Sequence, residues 1–429
     1  MPLIRPFPAF RYSRSLGLDY SNLIAPPYDV LDEAGKAELQ AKSDFNIVTV
    51  DLPHLPPKTV GPDETYARAD AVFRKWMDDG ILEQDTRPGF YAYEQTYHAH
   101  DRAFHRRGFY ALVKLSPFGA GDVVPHEKTY AGPIEDRLKL MRATGMQLSP
   151  IFGLYNDARN EVMGSLFSRV GKPDMSAELD GVKNDLWAIH DSEIEAKVMD
   201  LMKHRPVYIA DGHHRYTTAL QYLAEREKEN GGPLPPNDPA NYCLFCLVSM
   251  RDPGLQVLPT HRLIGGLKSF DFNRFAQAIE PHFTVAETHA DPDEHLLKHV
   301  RHGGFAVYVG GTGKVFLLIP KGSDPLAASH PQMSDIWRKL DVAILQHYLL
   351  EQVIQPVFNN NAEVTRGYSP DVTSAIAHVD SENYQLALLL RPTPVNALVD
   401  LGRKNEVMPQ KSTYFYPKLA TGMVMAGLR

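Results

Sequence analysis

Asp211-Gly212-His213-His214-Arg215 follows the short apolar run "VYIA" and precedes "YTTALQYLAEREKEN", which has helical spacing. A strand that turns at a glycine into a helix leaves unpaired backbone N–H groups and the positive end of the helix dipole at the junction. An anion gains from both. Two imidazoles and a guanidinium add charge-assisted donors, and the guanidinium is a permanent cation. Gly212, His213, His214 and Arg215 therefore read as a cradle for phosphate. Asp211 has the wrong sign to touch phosphate itself. Its place would be to orient a histidine or to hold Mg2+ beside the phosphates as a metal ligand. The plainer alternative is a capped helix with a basic exposed face.

A second group of candidates lies apart in the sequence. "PHEKT" spans Pro125 to Thr129 and carries Glu127. A carboxylate can take the proton of a substrate hydroxyl. Phosphoryl transfer needs little else beyond positioning and charge neutralisation. Thr129 joins the phosphate set and His126 the substrate set. Arg137 and Arg142 stand on an expected helix from Ile134 to Thr144. They would reach a second phosphate, or pair along a solvated helix face. In "PTHRL", Arg262 would contact a substrate carboxylate, beside a buried His261. "KSTYFYPKLATG" offers Lys411, Ser412, Thr413 and Lys418 among aromatics, as packed core or as the closure of a phosphate pocket. Gln147 and Ser149 in "TGMQLSP" would cover a ligand or simply connect two elements.

The elements that must position these residues alternate between helix and strand. "EAGKAELQAK" is expected as a helix capped by Asp32, and "NIVTVDLP" as a strand. "DETYARADAVFRKWMDDG" puts Tyr66, Ala69, Phe73 and Trp76 on one helical face and ends at Gly80. "GFYAYEQTYHA" and "FHRRGFYALVKLSPF" form a hairpin that turns near Asp101. Their histidines His98, His100 and His105 read as strand and turn residues rather than a metal cluster. Cys243 and Cys246 have C-x-x-C spacing, but "NYCLFCLVSM" is a continuous apolar run, so a buried strand is expected. "GGTGKV" is a hairpin turn, not a phosphate loop, because Val315 stands where Ser or Thr is required. Tyr28 and Asp29 in "APPYDVL" mark a rigid corner, or line the site. No long regular βαβ run appears. The expected class is α+β, with mixed sheets and an additional α/β C-terminal region. Three regions are expected: 1–115, 116–260 and 261–429.

Composition narrows the function. The 429 residues carry 45 Lys and Arg against 52 Asp and Glu, a formal net charge of −7. That argues against broad, non-specific nucleic-acid binding. Two cysteines fit a reducing compartment. No apolar run is long enough for a membrane span, and "MPLIRPFPAF" lacks a secretory apolar core. A cytoplasmic protein is expected, as a monomer or an oligomer, with no membrane partner.

The D-G-H-H-R junction resembles the ParB/sulfiredoxin superfamily, where a related motif opens a helix and binds phosphate or nucleotide. It is most similar to the free-serine kinase branch, which also carries an upstream P-H-E segment. The resemblance covers about Val124 to Val248. It implies a nucleotide-binding core with ATP or ADP and Mg2+ as cofactors. Glu127 would be the catalytic base, Asp211 a catalytic or metal-holding group, and His213, His214 and Arg215 the phosphate binders. Over its whole length the chain resembles the bacterial and archaeal family DUF1015. The stretches that match are "IAPPYDVL", "PHEKTYAGPIEDRLKLMRATGMQLSPIFGLY", "ADGHHRYTTAL", "LPTHRL" and "STYFYPKLATG". This second resemblance implies a fold more than a reaction. The expected activity is nucleotide-dependent phosphoryl transfer to a small hydroxylated metabolite, with a free amino acid such as serine as one candidate. Two alternatives use the same cradle. One is a ParB-like regulator that binds CTP or ATP and DNA, against which stand the acidic balance and the lack of a basic helix-turn-helix. The other is a phosphate-ester hydrolase with water as acceptor.

Overall fold

The computed structural model describes residues 3–99, 102–291, 293–381 and 383–428. The chain forms two compact units. One comprises Met1–Pro125, Thr129–Leu255 and Pro417–Arg429, the other His126–Lys128 and Gln256–Tyr416. The sequence suggested three regions, with a boundary at 115/116. Gly108–Lys114 of strand Arg102–Lys114 pairs with Tyr242–Val248, and both sides of that boundary fall in one unit. The second expected boundary, 260/261, falls five residues beyond the observed one at 255/256.

The first unit is built on a nine-stranded sheet among the described residues. Its strands run in the order Val123–Val124, Val207–Asp211, Ile151–Tyr155, Tyr242–Ser249, Arg102–Lys114, Phe90–Ala99, Val182–Ile189, Met175–Leu179, with Ile4–Arg5 also on Arg102–Lys114. Val207–Asp211 is parallel to Val123–Val124, and Ile151–Tyr155 is parallel to Tyr242–Ser249; the remaining pairs are antiparallel. This mixture of pairings, with helices interspersed, is the expected α+β class. One sheet face packs Phe90, Phe109, Phe245 and Ile209 against Val198 and Met202 of helix Ser192–Met202 and Tyr216 of helix His213–Asn230.

Local expectations are met where periodicity is strong. Helix Asp63–Asp78 buries Tyr66, Ala69, Phe73 and Trp76. Asp32 accepts the Gly35 N–H at 2.8 Å and caps helix Glu33–Lys42. Strands Phe90–Ala99 and Arg102–Lys114 form the antiparallel hairpin; its turn, with His100 and Asp101, lies outside the described residues. His105 faces Glu94 at 3.4 Å, a carboxylate that the sequence spacing did not single out. Among the described residues no group of three or more His, Cys, Asp or Glu is placed to hold a metal ion. Also among them, no helix is long and apolar enough to cross a membrane.

"NIVTVDLP" departs from its expectation. Val48–Asp51 is a short helix, not a strand. Asn46 decides this: its Oδ1 accepts the Val48 N–H at 3.0 Å, and its Nδ2 donates to the carbonyls of Asn22 and Ile24. A side-chain cap and a buried tether outweigh the β preference of two valines.

The second unit holds a six-stranded sheet among the described residues, ordered Phe283–Thr288, Lys314–Pro320, Phe305–Val309, Leu386–Leu389, His261–Gly265, Thr365–Ser369. "GGTGKV" is the hairpin turn between Phe305–Val309 and Lys314–Pro320, with Gly311 and Gly313 at φ +74° and +65°. A two-stranded ribbon pairs Gln256–Leu258 with Tyr414–Tyr416.

Candidate functional site

In the first unit, strand Val207–Asp211 runs into Gly212, whose φ of +96° is a left-handed conformation that favours glycine. Helix His213–Asn230 begins at the next residue, and no side chain caps it. A Cβ on Gly212 would lie 3.1 Å from the guanidinium of Arg215. The missing side chain thus lets Arg215 fold back over the turn, where its Nη1 donates to the Pro150 carbonyl.

Asp211 organises the charges at this junction. Its Oδ1 accepts the Gly212 N–H at 2.8 Å, and its Oδ2 accepts from Lys418 Nζ at 2.9 Å. Burial alone would raise this carboxyl, but Lys418, Arg215 and His213 together hold it below the usual carboxylate range. Asp211 is therefore ionised and already neutralised by an ammonium. That arrangement does not fit it as a direct Mg2+ ligand, and no step is routed through a metal there. Lys418 itself is pinned from behind. Gln95 Nε2 donates to the Lys418 carbonyl at 3.0 Å, and Arg106, only 1% exposed, donates to Gln95 Oε1.

His213 is buried, while His214 and Arg215 are half-buried. The backbone N–H of Tyr130 donates to His214 Nε2 at 3.2 Å, and the two rings stack at 25° with centroids 6.5 Å apart. Thr129 meets Thr217 across 3.4 Å, hydroxyl to hydroxyl. The start of helix Ala131–Thr144 thus lies against the first turns of helix His213–Asn230.

Arg137 is 6% exposed and engaged on several sides. Its Nε donates to Asp136 Oδ2 at 2.8 Å, its Nη1 to the Asp51 carbonyl, and its guanidinium lies 4.0 Å over the Tyr28 ring. Ser149 donates to Asp51 Oδ2 at 2.9 Å. Arg137, Asp51 and Ser149, with Gln147, Arg215 and Cys243, line a cavity of about 40 Å³, room for a few water molecules. Arg142 instead takes the helix-face alternative: it pairs with Glu225 and Glu135. Gln147 bridges the Tyr242 carbonyl and the Leu244 N–H, a connecting role rather than a cover. Cys243 and Cys246 are buried in strand Tyr242–Ser249, and burial pushes both thiols up to about 12.

The other candidates come together in the second unit. His126 is buried, its Nε2 3.0 Å from Thr413 Oγ1, and its carbonyl accepts the Met408 N–H at 2.8 Å. Glu127 Oε1 accepts the Ser412 N–H at 3.4 Å. Ser412 donates onward to the Pro409 carbonyl. Arg262, 1% exposed, donates to the carbonyls of Thr260, Gln410 and Lys411 and lies 4.8 Å over the Tyr368 ring. Burial lowers its pKa to about 10, against the pull of Tyr368 and of the Glu127 carboxylate. Lys411 itself is exposed, at φ +55°.

The sequence-derived candidates thus fall into two groups. Asp211, Gly212, His213, His214, Arg215, Thr129 and Arg137 belong to the first unit; Glu127, His126, Arg262, Lys411 and Ser412 belong to the second. Lys418 was legible only as one of several C-terminal cations, and Tyr130 and Gln95 not at all. Nothing local marks a contact that spans 207 residues, as Lys418 to Asp211 does.

A strand that turns at a left-handed glycine into a helix, on a mixed sheet, describes the class of site. The chain belongs to the family described as "Protein of unknown function (DUF1015)", whose family model matches residues 4–343. No curated protein matches it. Among solved structures it is similar to a conserved hypothetical protein from Pyrococcus furiosus, with 14% identity over 72% of this chain and 92% of that one, at a TM-score of 0.34. A free serine kinase in complex with AMP matches with 12% identity over 68% and 83%, TM-score 0.34. C-terminally truncated SbnI from Staphylococcus aureus matches with 10% identity over 73% and 85%, TM-score 0.34. Likenesses of this size carry no argument about the activity of this chain.

Proposed function

We propose that the protein binds the phosphates of ATP or ADP at the Gly212–Arg215 junction and transfers a phosphoryl group to a small hydroxylated metabolite. The observation that carries this reading is the left-handed Gly212 opening an 18-residue helix, with Arg215 and Lys418 gathered around it. Backbone dipole and two permanent cations suit polyphosphate oxygens. In the reaction, the acceptor oxygen forms a bond to the terminal phosphorus as the bridging P–O bond breaks. The acceptor proton goes to a carboxylate, and the shortened nucleotide leaves. Mg2+ would arrive with the nucleotide phosphates.

Glu127 as the proton acceptor, His126, Arg262, Lys411 and Ser412 as substrate contacts, and Thr129 and Arg137 as further phosphate contacts are part of the same proposal. So is the ParB/sulfiredoxin-like reading of the core. They rest on the order P-H-E before D-G-H-H-R, which resembles the free-serine kinase branch. A free amino acid such as serine is the first acceptor to test.

The experiment incubates the pure protein with end-labelled ATP or ADP, Mg2+ and a panel of hydroxylated metabolites. Labelled product is expected with the wild type, and a loss of about 100-fold or more with Glu127→Gln. No transfer from either nucleotide, or transfer undiminished in Arg215→Ala, overturns the reading.

A further inference from the structure

In the second unit, the peptide between Val407 and Met408 holds segment His126–Lys128. Its N–H donates to the His126 carbonyl at 2.8 Å. Its carbonyl accepts from Trp337 Nε1, also at 2.8 Å. The buried Trp337 ring belongs to a group of three. Its centroid lies 5.3 Å from that of His330 and 5.1 Å from that of His347. The two imidazoles are 4.8 Å apart. Three rings in mutual contact thus end a hydrogen-bonded line that begins at the residue before Glu127.

His330 and Trp337 stand on the stretch 321–340, and His347 stands on the π-helix Ile344–Ile354. The ring contact ties the stretch to the helix, together with Gln352 Nε2, which donates to Ser329 Oγ at 3.0 Å. His347 Nδ1 donates to Glu351 Oε2 at 2.8 Å, and Gln346 donates to the other oxygen at 2.7 Å. Arg366 adds its charge to the same carboxylate. His330 Nδ1 meets only a hydroxyl, Ser329 Oγ at 2.9 Å. Elsewhere on the stretch, Arg338 pairs with Asp324 and Asp335. Glu406 accepts from the Ser334 N–H at 2.6 Å. The rings therefore bring two titratable imidazoles to one carboxylate. A first proton suits His347, beside Glu351 and against the Trp337 ring. A second, on His330, shares that carboxylate and meets a like charge one ring away. Burial, and after it His347, already hold His330 below the usual imidazole range, against the pull of Glu351. A base lowered in this way stabilises the fold above its unfolded value of 6.5, and that contribution is lost as pH falls below it.

We propose that the His330–Trp337–His347 stack is an acid-released latch: charging both imidazoles loosens the stretch 321–340 from the helix, frees the Val407–Met408 peptide from Trp337, and so releases segment His126–Lys128 with its Glu127. Packed rings and hydrogen bonds connect each step to the next. The latch would regulate the candidate phosphotransferase site. That consequence rests on the reading of Glu127 as proton acceptor; the release itself does not.

Fluorine NMR of the full chain tests it, with 5-fluorotryptophan at Trp76, Trp187 and Trp337, the three tryptophans of the sequence. Trp337→Phe identifies the resonance of Trp337. That resonance moves with a midpoint between about pH 5 and 7, while the other two stay in place. His330→Phe keeps a ring in the stack but cannot take a proton, and it removes the step. Hydrogen exchange read by mass spectrometry follows the release itself. At about pH 5.5, peptides covering 126–128 and 406–413 exchange about tenfold faster in the wild type than in His330→Phe, and at about pH 7.5 equally fast. Comparison at one pH cancels the intrinsic exchange rate. If the bulkier ring itself loosens the stack at pH 7.5, His330→Gln takes its place under the same expectations. A Trp337 resonance that is flat with pH, a step that survives both His330 variants, or equal exchange of 126–128 at pH 5.5 each overturns the latch. A wild type that shows the acid step but transfers no phosphate rejects the function proposed above and leaves the latch standing. A wild type that transfers phosphate with a flat Trp337 resonance rejects the latch alone.

Discussion

The backbone N–H of Tyr130 points at Nε2 of His214 across 3.2 Å. A backbone N–H can only donate, so Nε2 must present its lone pair. While this bond holds, His214 is neutral and carries its proton on Nδ1. The permanent charge at the junction then comes from Arg215 and Lys418, not from His214. Nitrogen chemical shifts should report an Nδ1–H tautomer for His214 at neutral pH. An imidazolium pattern, or an Nε2–H tautomer, would contradict the geometry. The bond is solvent-exposed, so His214→Ala should cost about 1 kcal/mol of stability or less in urea unfolding.

The Asp211–Lys418 pair makes a pH prediction with a definite sign. Asp211 has a lower pKa in the folded chain than its ordinary value of 3.8, because Lys418, Arg215 and His213 overcome the effect of burial. A carboxylate depressed by folding contributes stability that is full above the unfolded pKa and is lost as pH falls towards the folded one. Wild-type stability should therefore decline below about pH 4 more steeply than that of Asp211→Asn. Urea midpoints between pH 2.5 and 6 measure this. Parallel curves for the two proteins would show that the pair contributes nothing to folding.

Arg137 and Arg142 stand five residues apart on helix Ala131–Thr144 and should respond very differently to removal. Arg137 is buried between Asp136 and Asp51, and Arg142 is an exposed partner of Glu225. Arg137→Ala leaves two buried carboxylates without their cation and should cost about 3–5 kcal/mol. Arg142→Ala should cost about 1 kcal/mol or less. Denaturant titration of both variants is the check, and equal losses would refute the assignment.

The two thiols give a chemical test. Burial raises Cys243 and Cys246 to about 12, so at pH 8 about one thiol in ten thousand is ionised. A thiol-specific disulfide reagent should leave the native protein unlabelled and titrate both cysteines after denaturation. Rapid labelling of the folded chain would return the C-x-x-C spacing to consideration as a redox pair.

What the sequence disclosed follows from how far each signal reaches. Tyr66, Ala69, Phe73 and Trp76 repeat at helical spacing, so their shared burial could be read from one segment. "NYCLFCLVSM" is apolar on both faces, as a central strand must be. The short helix at Val48–Asp51 was hidden because its cause is Asn46 bonding to carbonyls more than twenty residues away. Arg137 lay in plain view beside Ile134, Leu138 and Met141, the buried face of its helix, and that spacing would have marked it as engaged. The D-G-H-H-R turn was legible because glycine, strand and helix are contiguous there. Lys418 was legible as packed core or the closure of a phosphate pocket, but its pairing with Asp211 was not, because that contact is tertiary. The same holds for the passage of His126–Lys128 into the second unit, where ribbon and loop residues near 412 receive it.

Two glycines should respond in opposite directions to the same substitution. Gly212 has φ +96°, and a Cβ there would press on the Arg215 guanidinium at 3.1 Å. Gly212→Ala should cost about 1–2 kcal/mol for the left-handed backbone and push Arg215 off the Pro150 carbonyl. Gly164 lies inside helix Glu161–Leu166 with open space where its Cβ would go. Gly164→Ala should therefore gain about 0.5–1 kcal/mol, since it removes backbone freedom from the unfolded chain without a clash. Thermal or urea unfolding of the two variants side by side reads both signs. A neutral Gly212→Ala would mean that the turn relaxes out of its left-handed conformation, and the cradle would lose the feature that lets Arg215 close over it.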